Sequence, residues 1–209
     1  MPPRPRRPMR REPAQERSRA MVARILAAGH AVLLRHGYDR ASTGRIAEAA
    51  GVSPGSLYQY FPDKHALLGE VIDQHTDRLR TRVSRAFVAN LAGRSVVEAV
   101  RGNVIALLEA FEQNAGLLRV IYEQLPPAAD TRRTDFKHRV DELVTTALLL
   151  HGGGRGGQAD AVAWVLVRTV ENLTISYVLD PPGIDRETAV EEITRLLTGY
   201  LADRFGPGG

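Results

Sequence analysis

The chain has no cysteine among its 209 residues. Disulfides, thiolate zinc sites and cysteine nucleophiles are thereby excluded. No uninterrupted apolar stretch approaches the length that spans a bilayer, so no membrane segment is expected. The N-terminus lacks the apolar core of a secretory signal, and a cytoplasmic location is the expectation. The alternation of apolar and polar residues that marks half-buried strands is missing, and no internal repeat appears. The six histidines are scattered, with no HExxH pair, and there is no glycine-rich phosphate loop. No metal, no cofactor and no enzymatic activity are therefore expected.

What is present reads as all-α. At 44% hydrophobic and 25% charged, the chain has the composition of an ordinary soluble globular protein. Its net charge of +4 conceals an asymmetry. Residues 1–64 hold eleven arginines and Lys64 against five acidic residues, whereas the remainder has three more acidic than basic residues. Positive charge is thus concentrated at one end, as phosphate binding requires. Arginine so outnumbers lysine that GC-rich coding is a bland alternative source. Residues 1–15 are expected to be a disordered basic arm, rich in proline and arginine and without a hydrophobic period. From Glu16 a helical stripe of Val22, Ile25, Leu26, Gly29, Val32 and Leu33 runs to a stop at Gly37. Further helices are predicted over 63–88, 95–113, 115–125, 131–151, 158–179 and 186–204. The GGGRGG tract at 152–157 reads as a flexible link, and Asp180-Pro181-Pro182-Gly183 separates the last two helices.

Residues 43–64, TGRIAEAAGVSPGSLYQYFPDK, carry the sharpest signal. Ile46, Ala47 and Ala50 form the inner face of one short helix. Gly51 stands where the turn needs a left-handed backbone, which glycine adopts without a Cβ clash. Ser53 is placed to cap a second helix and Pro54 to occupy its first position, where the missing N–H is no loss. Leu57 and Phe61, four apart, anchor that helix. Pro54, Gly55, Ser56, Tyr58, Gln59 and Tyr60 are left largely outward. This is the layout of a helix-turn-helix, at about 42–61, with its second helix in a DNA major groove. Arg45, near the start of the first helix, fits a guanine contact, a phosphate contact or a solvated charge about equally. Thr43 is a candidate helix cap, and Lys64 a phosphate contact or a solvated cation.

In the run LYQYFPDKHALL (57–68), preceded by IAEAAGV and SPGS, the chain resembles the DNA-binding domain of the tetracycline-repressor (TetR) family. The resemblance extends upstream through ILAAGHAVLLRHGYDRAST (25–43) and covers roughly residues 17–75. Gln59-Tyr60 departs from the histidine often found ahead of the phenylalanine, although Tyr60 keeps a hydroxyl able to reach a phosphate. The C-terminal two thirds agree only in length and helical pattern. The resemblance implies a homeodomain-like three-helix domain at 16–66, and a helical ligand-binding and dimerisation domain at 67–209, with about nine helices. It implies a homodimer on a palindromic operator in double-stranded DNA, and a small-molecule effector. Thr43, Tyr58, Tyr60 and Lys64 would meet phosphates, with Ser53 as cap and Arg45, Gly55 and Gln59 near base edges.

The helix at 158–179 is apolar on two sides, so it must be buried on two sides. Trp164, Ile175 and Val178 mark one; Val162, Leu166, Leu173 and Tyr177 mark the other. With Ile193, Leu197 and Tyr200 of the final helix, the second set resembles the dimer interface of TetR-like proteins. The alternative is that both faces pack within one monomer. Arg168 and Glu171, three apart on an apolar helix, suit an intrahelical ion pair, a pocket or a dimer interface. His75, Tyr122 and Asn172, with Arg101 at a stripe edge, complete the polar candidates for an effector pocket. A hydrophobic or amphiphilic effector is expected, and a repressor. An effector-independent regulator or an activator is the alternative reading, with an unrecognised enzyme third.

Overall fold

Helical periodicity is realised throughout: a computed structural model describes residues 14–91, 94–124, 131–150 and 156–205, and among these are nine α-helices and no strand. Residues 1–13, Pro126-Pro127 and most of the glycine tract lie outside the described residues. The tract's last two glycines, Gly156 and Gly157, already belong to a helix.

Two compact units divide between Ile72 and Asp73, rather than at the expected 66/67. The first holds α1 (Ala14–Arg40), α2 (Thr43–Ala50), α3 (Pro54–Tyr58) and the opening turns of α4 (Lys64–Leu91). Ala14 and Gln15, assigned above to the arm, are helical. The apolar stripe of α1 is buried, with Ile25 and Leu33 fully enclosed. Gly29 sits where α1 meets α4. A Cβ there would lie 2.8 Å from Leu67 Cδ2 and 3.1 Å from Val71 Cγ2. Gly37 interrupts α1 with a positive φ (φ 74, ψ 173), so Tyr38–Arg40 form a separate turn beyond a kink.

The second unit holds the rest of α4 with α5 (Val96–Glu112), α6 (Ala115–Arg119), a π-helical turn at Val120–Gln124, α7 (Thr131–Leu150), α8 (Gly156–Leu179) and α9 (Arg186–Phe205). Ser95 opens α5 with a reciprocal capping box. Its Oγ accepts the Glu98 N–H at 3.3 Å, and its own N–H donates to Glu98 Oε2 at 2.9 Å. The Ser95 hydroxyl, which donates to Glu98 Oε2 at 2.7 Å, and then the Ser95 N–H hold the Glu98 carboxyl below the usual range. Asp185 caps α9 by accepting the Thr188 N–H at 2.9 Å.

The core of this unit joins Val104 and Leu108 of α5, Val162 and Leu166 of α8, and Val190, Ile193 and Leu197 of α9. A second cluster groups Phe111, Leu118 and Ile175. Four residues assigned to a dimer interface are therefore internal. Val162, Leu166, Ile193 and Leu197 are 9% exposed or less within one chain. The reason is that α5 and α9 occupy the face of α8 that the sequence left open between self and partner. Ile175 and Val178 pack in the second cluster, but Trp164, on the same face, is 57% exposed. Over Gln158–Leu179, α8 is long and apolar enough by length and composition to cross a membrane, although Arg168 and Glu171 interrupt it. Its contacts with α5 and α7 account for that composition as the central helix of a packed unit.

Leu108→Ala should destabilise the second unit by about 2–5 kcal/mol, since the methyl groups leave a void between three helices. Chemical denaturation measures it. Because the Glu98 pKa is lowered on folding, its contribution is present above the unfolded pKa and lost as pH falls through the folded one. Glu98→Gln should lower the melting temperature at neutral pH and converge with the parent in acid.

Candidate nucleic-acid interface and effector cavity

The turn between α2 and α3 is built by local rules. Gly51 adopts φ 63, ψ 40 and donates its N–H to Glu48 O at 3.1 Å, while Val52 donates to Ala47 O at 3.0 Å. Ser53 Oγ accepts the Ser56 N–H at 3.1 Å, with Pro54 in the first helical position. Ser42, rather than Thr43, caps α2, accepting the Arg45 N–H at 3.3 Å. Thr43 is the first helical residue, and its Oγ1 lies 3.1 Å from the Tyr58 hydroxyl. Ile46, Ala47, Leu57 and Phe61 are buried. The helix ends at Tyr58, yet the Phe61 N–H still reaches Leu57 O at 3.1 Å. Pro54, Gly55, Tyr58 and Gln59 are exposed, with Ser56 and Tyr60 half-buried. One surface thus presents hydroxyls, an amide and a bare glycine backbone, with no carboxylate between them.

Two cations assigned to DNA have partners within the unit. The Lys64 ammonium donates to Tyr38 O at 2.9 Å and Asp39 O at 3.2 Å, and sits 5.0 Å from the Tyr38 ring centroid. Arg45 Nη1 donates to Arg40 O at 2.7 Å. The three carbonyls beyond the Gly37 kink are thereby satisfied by the first residue of α4 and by the first turn of α2. Tyr38 OH lies 2.9 Å from His65 Nδ1. Burial, then the charges of Asp39 and Asp63, raise the Tyr38 phenol above its ordinary value, so the hydroxyl keeps its proton. Lys64 retains a third N–H, and Arg45 its other guanidinium nitrogens.

The second unit encloses a cavity of about 570 Å³, lined mostly by aliphatic residues of α4, α5, α7, α8 and α9. Of the effector candidates, Tyr122 and Glu171 line it, and the Tyr122 hydroxyl donates to Glu171 Oε1 at 3.0 Å. The others stand elsewhere. Arg101 forms a surface ion pair with Glu187. Arg168 pairs with Asp141 of α7 at 2.8 Å, whereas Glu171 accepts the Tyr122 hydroxyl. Asn172 donates to Arg168 O at 2.7 Å on the exposed side of α8. His75 is outside the lining. Arg80, overlooked in the sequence, does line the cavity, with Nη1 3.1 Å from Asp77 Oδ1 and a side chain only 14% exposed. The signal was its place in the Thr76, Arg80, Val83, Phe87 stripe, which continues the helical period through a charged residue.

Residues 25–71 match the family described as "Bacterial regulatory proteins, tetR family", and residues 95–201 match "Tetracyclin repressor-like, C-terminal domain". The chain belongs to the TetR family. It is a DNA-binding transcriptional regulator, in a family whose similar members are regulators rather than enzymes. Among relatives, the HTH-type transcriptional activator FasR of Mycolicibacterium smegmatis is 31% identical over 181 residues, 85% of this chain and 81% of FasR. A TetR-family regulator from Mesorhizobium loti shares the fold at a TM-score of 0.69 and 18% identity, covering 90% of this chain and 98% of its own. The TetR-family repressor FadR of Thermus thermophilus, solved in complex with lauroyl-CoA, gives 26% identity and a TM-score of 0.56, covering 85% of this chain and 93% of its own.

In this TetR-family chain Lys64 has a structural task that does not depend on DNA. Lys64→Met keeps the aliphatic stem and removes both carbonyl bonds. It should cost about 1 kcal/mol in the DNA-free protein, a charge-assisted bond discounted for partial solvent access. An unchanged melting temperature, followed by circular dichroism, would restrict the ammonium to the DNA complex.

Proposed function

We propose that this regulator is a cytoplasmic homodimer that represses transcription from a palindromic operator and leaves it when an apolar-bodied small molecule fills the cavity of the second unit. The observation that carries the DNA reading is the carboxylate-free α3 surface, backed by a net positive N-terminal third. Thr43, Tyr58, Tyr60 and the remaining Lys64 donor would hold phosphates, while Arg45, Gly55 and Gln59 would face base edges. Two such surfaces must meet successive major grooves about 34–36 Å apart. Footprinting of the promoter upstream of the chain's own gene is the direct experiment. Lys64→Ala should flatten the plot of log affinity against log salt by about one unit, whereas Gln59→Ala should change base preference by about 1–3 kcal/mol. FasR supports a second reading, activation, and transcription in vitro from the footprinted promoter separates the two.

Dimerisation is supported by what α8 and α9 leave uncovered. Trp164 is 57% exposed, Leu173 39% and Leu196 53%. Tyr177 and Tyr200 are half-buried at the margins; the Tyr177 hydroxyl reaches Ile184 O at 3.3 Å. These large apolar side chains would be sequestered by the same helices of a second copy. Leu173→Asp should yield monomers in sedimentation and abolish operator binding. A wild-type monomer at micromolar concentration would refute the interface.

The cavity suits an effector because its volume lies in the range of ordinary ligand sites and its mostly aliphatic wall carries a few polar groups. The lauroyl chain bound by the Thermus regulator is an apolar body of this kind. The helix α4 starts beside the Tyr38 carbonyl and lines the cavity farther along. A ligand that favours a different placement of α4 would lower operator affinity by its differential binding to the two states, typically about 1–3 kcal/mol. Ala106→Trp, which fills the cavity from α5, should leave a repressor that binds operator and no longer responds to ligand, as read by gel shift.

A further inference from the structure

The cavity has a polarity that its aliphatic lining conceals. Of all the residues around it, four are exposed: Arg94, Val96 and Val97, leading into α5, and Ala202 near the end of α9. Val96 and Val97 are 52% and 53% exposed, while Phe111 and Leu118, also in the wall, are 6% and 4%. Three of the four lie together in sequence at the start of α5, so the cavity meets solvent there.

Arg94 stands at this mouth in a prepared position. Its Nη1 donates to Asn90 Oδ1 at 2.9 Å, and Asn90 Nδ2 donates to Asn103 Oδ1 at 3.0 Å. Asn90 is 9% exposed and pressed against Gly102, where a Cβ would come within 2.7 Å of its Oδ1. The amide that orients the guanidinium is therefore itself fixed from two sides. Glu98, which feels the Arg94 charge, accepts both the N–H and the hydroxyl of Ser95 through Oε2, so its hydrogen bonds go to the helix cap. Deeper in, Arg80 is paired through Nη1 with Asp77, and Glu171 Oε1 accepts the Tyr122 hydroxyl, so a positive and a negative group share the inner wall.

Resting on the reading of the cavity as the effector site, the geometry points to an effector with an anionic head, carboxylate or phosphate. The head stays at the mouth on Arg94 while the apolar body runs inward past Asn103 towards Phe111 and Leu118. An arginine held by a neutral amide offers its remaining N–H donors as a fork matched to an oxyanion. A cationic head meets like charge at the same place, and a neutral alcohol forgoes the charge-assisted bonds.

The test is calorimetric titration of the full-length dimer with decanoate, decyl phosphate, decan-1-ol and decylammonium, each below its micelle concentration. At least one anion should bind about tenfold or more tightly than the alcohol, the scale of a charge-assisted hydrogen bond, with the ammonium weakest. The carboxylate and phosphate arms decide which head is used. Arg94→Gln should bring anion and alcohol to within about twofold, and Arg94→Lys should restore part of the preference. Equal affinity of alcohol and anion for the wild type, or a preference that survives Arg94→Gln, overturns the inference and leaves the cavity reading intact. If no ten-carbon chain binds at all, the cavity reading fails and this inference with it.

Discussion

A helix broken three residues before its end exposes carbonyls that must find donors, and in this chain the donors come from elsewhere in the sequence. Beyond the Gly37 kink, Tyr38, Asp39 and Arg40 turn their oxygens towards Lys64 and Arg45. One bond set joins the first helix to the start of α4; the other joins it to the first turn of α2. The placement of α3, and hence of every residue offered to DNA, is referred through these contacts and through Leu57 and Phe61 beneath. The same cations remain near the surface that phosphates would approach. If these cations also meet DNA as proposed, folding and recognition draw on one pair of side chains.

Legibility in the sequence followed the range of the interaction. Gly51, Ser53 and Pro54 act within a few residues, so their conformations could be read from chemistry alone. Helix limits on either side of the proline and glycine breaks were placed for the same reason. Ser42 displaced Thr43 as the cap because either hydroxyl suits that turn, and only the backbone conformation chooses between them. Lys64 looked like a phosphate ligand since nothing local announces two carbonyls supplied from α1. Long-range pairings of this kind have no periodicity.

The same limit explains α8. A helix apolar on two faces declares that both must be covered, but not by what. The chain itself covers Val162 and Leu166, using α5 and α9, and Ile175, using α5 and α6. Arg168 and Glu171, neighbours in register, part company because Asp141 and Tyr122 arrive from separate elements. Charged residues on an apolar helix were correctly read as needing partners; the identity of each partner is a property of the packed unit. Arg80 is the converse case, a charge with no local mark of burial that the fold draws into a wall of hydrocarbon.

The lone tryptophan gives the molecule an optical property of its own. Trp164 is on the outer side of α8, more than half exposed and absent from the cavity wall. Its emission should therefore be that of an indole in water whenever the chain is alone, and shift to the blue when another surface closes over it. A ligand in the cavity makes no direct contact with it. Intrinsic fluorescence of this protein is consequently a gauge of association, largely blind to ligand occupancy, and the two events can be followed by separate signals in one solution.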